Sequence, residues 1–160
     1  MKKMIVHTLT LLLMTLTLAA TSSASPKPDN SDIYGLWLES KKQKVAVLIE
    51  DCDARLCGYI YWLKKPLTAD GLIKRDPRNP DAALRDRPLC GLKTLSGFRR
   101  VSEDTWSEGQ IYNPKDGQTF ASTIKLSDDG SLKIRGYVGI SLFGKTLIWQ
   151  RPQEKLQPCS

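Results

Sequence analysis

The chain has 160 residues, with 24 Lys and Arg against 17 Asp and Glu, a formal charge of +7 and one histidine. That length suits one domain with its own core. The histidine, His7, lies in an N-terminal apolar stretch, and the chain after that stretch has no imidazole. Its absence excludes Ser–His and Cys–His catalysis, histidine-ligated zinc and histidine proton relays from the folded part.

Lys2 and Lys3 precede an apolar run from Met4 to Ala20, and Ser22-Ser23-Ala24 offers a small-x-small cleavage site. This is the layout of a secretory signal peptide over residues 1–24. Five threonines in or beside the run argue against a membrane anchor. No cysteine follows the run directly, so a lipid attachment point is not expected there. Cleavage removes Lys2 and Lys3 and leaves 136 residues with a charge of +5. Residues 25–31 read as a short flexible leader, and residues 32–160 as the folded domain.

From there the chain reads as strands separated by turns: about 33–39, 44–50, 56–63, 92–101, 105–112, 118–126, 131–138 and 145–151. Alternation is clearest in Phe120-Ser122-Ile124-Leu126, and in Leu132 and Ile134 against Lys133 and Arg135. Asn113-Pro114-Lys115-Asp116-Gly117 and Ser127-Asp128-Asp129-Gly130 place Pro and Gly where the backbone must reverse. Eight such strands at hairpin spacing predict an all-β fold, a single antiparallel barrel of up-and-down topology. One connection breaks the pattern. Residues 64–91 form a loop too long for a hairpin, expected to be a lid over one barrel mouth, with a short helical turn near Asp81–Leu84.

Four cysteines, Cys52, Cys57, Cys90 and Cys159, lie after the signal stretch. An even number in an exported chain indicates disulfides, and three pairings are possible. Cys52 and Cys57 flank a short turn and can face each other across a hairpin. The favoured pairing is therefore Cys52–Cys57 with Cys90–Cys159. A four-cysteine zinc site is disfavoured because paired C-x-x-C units are absent, and no metal is expected.

Gly35-Leu36-Trp37 opens the first strand and Trp149-Gln150-Arg151 closes the last. An early G-x-W with a late Arg resembles the lipocalin and calycin signature, in which the Trp plugs one barrel end beneath the Arg. The likeness extends further. Leu56-Cys57-Gly58, Trp62-Leu63, Asp70-Gly71, Asp76, Asn79-Pro80, Leu84-Arg85, Arg87-Pro88-Leu89-Cys90-Gly91, Ile111-Tyr112 and Arg135-Gly136-Tyr137-Val138-Gly139 fall in order along the chain. In these residues the chain resembles the bacterial exported family catalogued as domain of unknown function 2147. That resemblance implies an exported, lipocalin-like barrel and brings no catalytic residues with it.

The window from Lys64 to Arg100 holds ten basic residues against four acids, a local charge of +6, which favours an anionic partner. Arg85, Arg87 and Arg135 are the expected grips for a carboxylate or phosphate. Tyr59 and Tyr61, on one face of a strand with Trp62 on the other, are expected to line a ligand cavity. Asp76, Asp81 and Asp86 beside Arg85 and Arg87 could act as acid, base and anion clamp, but such residues on one loop more often pair with one another. The leading expectation is an exported, non-enzymatic binding protein of the periplasm or exterior. It would hold an apolar or amphipathic anionic molecule in the barrel, and no cofactor, nucleic-acid partner or stable membrane span is expected. The alternatives are a protein-interaction or envelope-stress module with a filled barrel, and an envelope hydrolase using the Asp/Arg loop.

Overall fold

The computed structural model describes residues 33–159. The expected signal peptide, 1–24, and leader, 25–31, lie outside them. Eight antiparallel strands close into one barrel in sequence order: β1 (Gly35–Glu39), β2 (Val45–Asp51), β3 (Leu56–Leu63), β4 (Lys93–Arg100), β5 (Thr105–Asn113), β6 (Gln118–Leu126), β7 (Leu132–Tyr137) and β8 (Lys145–Gln150). Closure comes from β1 pairing with β8 through Leu38↔Gln150 and Glu39↔Trp149. Each strand falls within two residues of its expected span.

Antiparallel order gives the barrel two unlike ends. At one end β1 begins, and the β2–β3, β4–β5 and β6–β7 turns reverse the chain. At the other lie the β1–β2 and β5–β6 turns, the start of the 64–91 loop, and the β7–β8 connection with its short 3₁₀ turn (Ser141–Phe143).

The closed end is plugged as the G-x-W pattern predicts. The Trp37 indole is 1% exposed and donates to the Ile33 carbonyl at 2.8 Å. The Arg151 guanidinium sits 3.9 Å from the indole centroid and donates to the Leu36 carbonyl at 3.0 Å. Gly35 has φ +99°, and a Cβ there would come within 3.3 Å of Arg151 Nη1. Glycine therefore answers both a backbone and a space requirement at this position.

The barrel interior is filled. Trp37, Val47, Ile49, Leu56, Leu95, Phe98, Trp106, Ile124, Leu132, Ile134 and Trp149 are all buried in one cluster, with Val45, Ile111 and Leu147 packed against it. Phe98 lies where a Cβ of Gly109 would be, at 2.3 Å, so the missing side chain makes room for the ring. An eight-stranded barrel can be filled by side chains or hold a small ligand, and this one is packed.

Both expected disulfides are present: Cys52–Cys57, with Cα atoms 5.9 Å apart, and Cys90–Cys159, 5.6 Å apart. The second ties the end of the long loop to the C-terminal tail. There the Cys159 N–H also donates to the Tyr61 carbonyl at 2.8 Å.

Candidate functional site: the outer wall beneath the long loop

The 64–91 segment is not a lid over the mouth. It is fastened to the outer wall of the barrel. Leu95 and Ile111 pair across β4 and β5 and belong to the core face, so Ser96, Gln110 and Tyr112 occupy the opposite face. Tyr112 is where the loop is anchored. Its hydroxyl lies 2.7 and 2.8 Å from the two carboxylate oxygens of Asp76. Asn79 Nδ2 donates to Asp76 at 2.9 Å and to the Tyr112 oxygen at 3.2 Å. Arg87 donates to Asp76 Oδ2 through Nε at 3.0 Å and Nη2 at 2.9 Å. Asp76 is fully buried, while the Arg87 side chain is about a third exposed. Burial, and then the hydrogen bond to Asp76, raise the Tyr112 pKa above that of an ordinary phenol.

The rest of the loop is fixed by short-range bonds. Asp81 caps the 3₁₀ turn Ala82–Leu84 by accepting from the Ala83 N–H, which confirms the helical turn expected there. Arg85 donates to the Asn79 carbonyl at 2.9 Å, and Arg75 donates to the Asp86 carbonyl. At Gly117, in the β5–β6 turn, a Cβ would lie 1.8 Å from the Arg78 carbonyl oxygen. Only glycine lets the loop pass that close, and its φ of +72° suits it too. The Asp/Arg cluster therefore does not assemble as an acid–base pair. Asp76 is surrounded by donors, and Asp81 is a helix cap.

Between this strap and the wall lies a cleft of about 320 Å³. Asn79, Pro80 and Tyr112 form its loop side. Arg87, Lys93, Thr94, Ser96, Gln110 and Thr119 complete it. Lys93 also stands over the Tyr59 ring, 5.2 Å from its centroid. The cleft combines two cations with hydroxyl and amide groups, a lining suited to an anionic or hydroxylated small molecule. A second cleft of about 220 Å³ opens at the closed end, among Tyr34, Asp51, Arg55, Arg100 and Trp106. Its polar groups are engaged with one another: Tyr34 reaches Asp51 at 3.5 Å, Arg55 donates to the Gly97 carbonyl, and Arg100 stacks on Trp106.

Of the five expected ligand contacts, only Arg87 lines the wall cleft. Arg85 is spent on the loop backbone. Tyr59 pairs with Leu48, whose neighbours Val47 and Ile49 face the core, so Tyr59 faces outward. Trp62, expected on the opposite face, pairs with Ala46 and shares that outer wall, because a bulge between Ala46 and Val47 leaves Tyr61 unpaired and resets the alternation. Arg135 pairs with Thr123 beside the core pair Ile124↔Ile134 and faces away from the interior. It holds the β7–β8 connection, donating to the carbonyls of Ser141 and Leu142 at 2.7 and 2.9 Å and to Thr146 Oγ1 at 3.0 Å. Sequence reasoning missed Lys93, Thr94, Ser96, Gln110 and Thr119. Their signal was a row of polar side chains on β4–β6, opposite the apolar positions. Among the described residues no group of acids and cysteines is arranged to hold a metal. No helix among them is long and apolar enough to cross a membrane.

Residues 35–151 match the family described as "Uncharacterized protein conserved in bacteria (DUF2147)", and the chain belongs to that family. Its structure resembles HP1028 of Helicobacter pylori, a protein described as belonging to the lipocalin family, at 25% identity and a TM-score of 0.64. The likeness covers 76% of this chain and 83% of that one. No curated protein matches the sequence. The barrel is thus lipocalin-like, an architecture that at the general level suits the binding of small molecules.

Proposed function

We propose that this family member is an exported, non-enzymatic binding protein that takes a small anionic, hydroxyl-bearing molecule in the cleft on the outer wall of β4–β6. One observation carries the reading: Arg87 and Lys93 flank a row of hydroxyl and amide groups in a cleft at the lower end of small-molecule pocket volumes. The expectation of a ligand inside the barrel gives way, because the core side chains already fill that space. Export is supported by the two disulfides, which persist in oxidising compartments. A binding role rather than a hydrolytic one is supported by Asp76, whose oxygens are taken up by Tyr112, Asn79 and Arg87.

The test is a calorimetric titration of short hydroxy acids, sugar acids, fatty acids and lysophospholipids against neutral analogues at two salt concentrations. Anionic hydroxylated compounds should bind best, and binding should weaken with salt. Lys93→Ala should reduce affinity without unfolding the protein, since its side chain is exposed. Equal affinity for neutral analogues, or an unchanged affinity in Lys93→Ala, would overturn the assignment. The filled interior also favours a second reading, a protein-interaction or envelope-stress module. A titration in which none of these compounds binds would put it ahead.

A further inference from the structure

The β7–β8 connection presents four apolar side chains to solvent. Val138, Ile140, Leu142 and Phe143 are 75%, 60%, 75% and 81% exposed. They are held out rather than trailing, because Arg135 clamps the carbonyls of Ser141 and Leu142 from behind. A second apolar tip issues from the same barrel end. The long loop begins there and makes a small hairpin through the Leu67↔Ile73 bridge, with Leu67, Leu72 and Ile73 at 45%, 68% and 43% exposure. The four exposed apolar side chains of the β7–β8 tip mark an interaction surface by themselves.

The charges around these tips differ from those at the far end. Lys41, Lys42 and Lys44 in the β1–β2 turn, Lys64 and Lys65 after β3, and Lys145 beginning β8 are all exposed. The nearby acid on β1, Glu39, is turned back to accept the N–H groups of Lys41 and Lys42 at 2.9 and 2.8 Å. In the β5–β6 turn Lys115 and Asp116 cancel, and residues 66–91 add five bases and four acids. The opposite end is nearly balanced. Its three turns, 51–55, 101–104 and 127–131, carry six acids (Asp51, Asp53, Glu103, Asp104, Asp128, Asp129) and one base, Arg55, while Arg99, Arg100, Lys125, Lys133 and Arg151 stand at the adjoining strand ends, with Lys125 3.4 Å from Asp104. The excess positive charge therefore lies at the end that carries the apolar tips.

We propose that this end docks on the surface of an anionic lipid bilayer, with the Val138–Phe143 tip inserting at the headgroup level and the surrounding lysines facing lipid phosphates. Apolar side chains ringed by lysines are the combination that binds such interfaces, because shallow apolar burial and attraction to anionic headgroups add. A protein partner with an apolar pocket would have no need of the six lysines spread over three separate segments. The wall cleft takes no part, so this surface and the proposed ligand site stand or fall separately.

The experiment uses the processed, disulfide-bonded protein from the periplasm of an expressing cell, co-sedimented with vesicles of phosphatidylcholine alone or with 30% phosphatidylglycerol, ~100 nm across. Binding to the anionic vesicles should exceed binding to the neutral ones and fall with salt. Leu142→Ser with Phe143→Ser should lower it about tenfold or more, with circular dichroism unchanged because both side chains are exposed. Lys41→Glu with Lys42→Glu should lower it comparably. Asp128→Lys, which raises the net charge by two at the opposite end, should leave it unchanged. Equal binding to both vesicle types, an unaffected serine double variant, or binding that follows net charge wherever the charge is placed would each overturn the proposal. So would a wild type that ignores vesicles but self-associates through the tip, since a second copy would then be the occupant.

Discussion

Removing the Arg87 cation is the sharpest test of how the long loop is held. In Arg87→Met the methionine keeps much of the packing, but Asp76 loses two charge-assisted hydrogen bonds and its counter-charge. It stays fully buried, with only Asn79 and Tyr112 as donors. Breaking a buried ion pair from one side costs about 3–5 kcal/mol. The Arg87 side chain is about a third exposed, so solvent already screens part of its attraction. A cost of about 2–4 kcal/mol is therefore expected. It should be measured by urea denaturation with both disulfides intact.

The loss should also be local at first. Trypsin should cut within residues 74–87 of the variant before the barrel unfolds, because the knot joins the loop to Tyr112 and not strand to strand. In a double-mutant cycle with Asp76→Asn the two changes should couple, since the asparagine no longer needs a cation. A loss below about 0.5 kcal/mol, or strict additivity, would refute the claim that this ion pair fastens the loop.

Trp37→Ala should cost about 3–5 kcal/mol in the same assay and couple to Arg151→Ala, because the guanidinium rests on the indole; additive effects would mean the plug does not act as a unit. Non-reducing peptide mapping should recover Cys52–Cys57 and Cys90–Cys159. Replacing the second pair by serine should cost about 4 kcal/mol and the first about 2, in keeping with their sequence separations of 69 and 5. Tyr112 should ionise above an ordinary tyrosine in an ultraviolet titration. Because its folded pKa is raised, its contribution to stability is complete below pH 10 and is lost as pH rises through the folded value. Tyr112→Phe should remove that alkaline loss and cost about 1–3 kcal/mol at neutral pH, because Asp76 loses a donor.

What could be read from the sequence was local in origin. Strand positions follow from alternation and turn residues within a few positions, which is why all eight were found. The Cys52–Cys57 bridge follows from a short turn, and the remaining pair then has one partner each. The Trp37–Arg151 contact was legible because two short motifs mark the first and last strands of a closed barrel. What could not be read depends on cross-strand partners. A bulge is created by the register of two strands, and nothing in Tyr59-Ile60-Tyr61-Trp62 announces that Tyr61 will be skipped. Once it is, Tyr59 and Trp62 share a face that strict alternation assigns to opposite walls. Asp76 presents the same difficulty at longer range, since its partner Tyr112 lies 36 residues away.

These two failures have a common consequence. The first moved Tyr59, expected to line the interior, to the outer wall, and the second placed the loop's anchor, Tyr112, on that same wall. The barrel interior is assembled from apolar side chains that alternate with polar ones, and its filling leaves no use for a cationic grip. The arginines were then available for other work: Arg87 ties the strap, Arg135 braces the β7–β8 tip, and Arg151 seals the plug. For Arg87 and Arg135 the guanidinium's several donors join segments that strand pairing does not join, and Arg151 reinforces the β1–β8 closure. The basic excess of the 64–100 window is therefore partly structural, and the cations with room for a partner lie on the wall at Lys93 and on the lysine-rich rim. A filled barrel that carries its polar cleft and apolar tip on the outside uses its fold as a rigid support, and binding by such a protein should leave core packing unchanged.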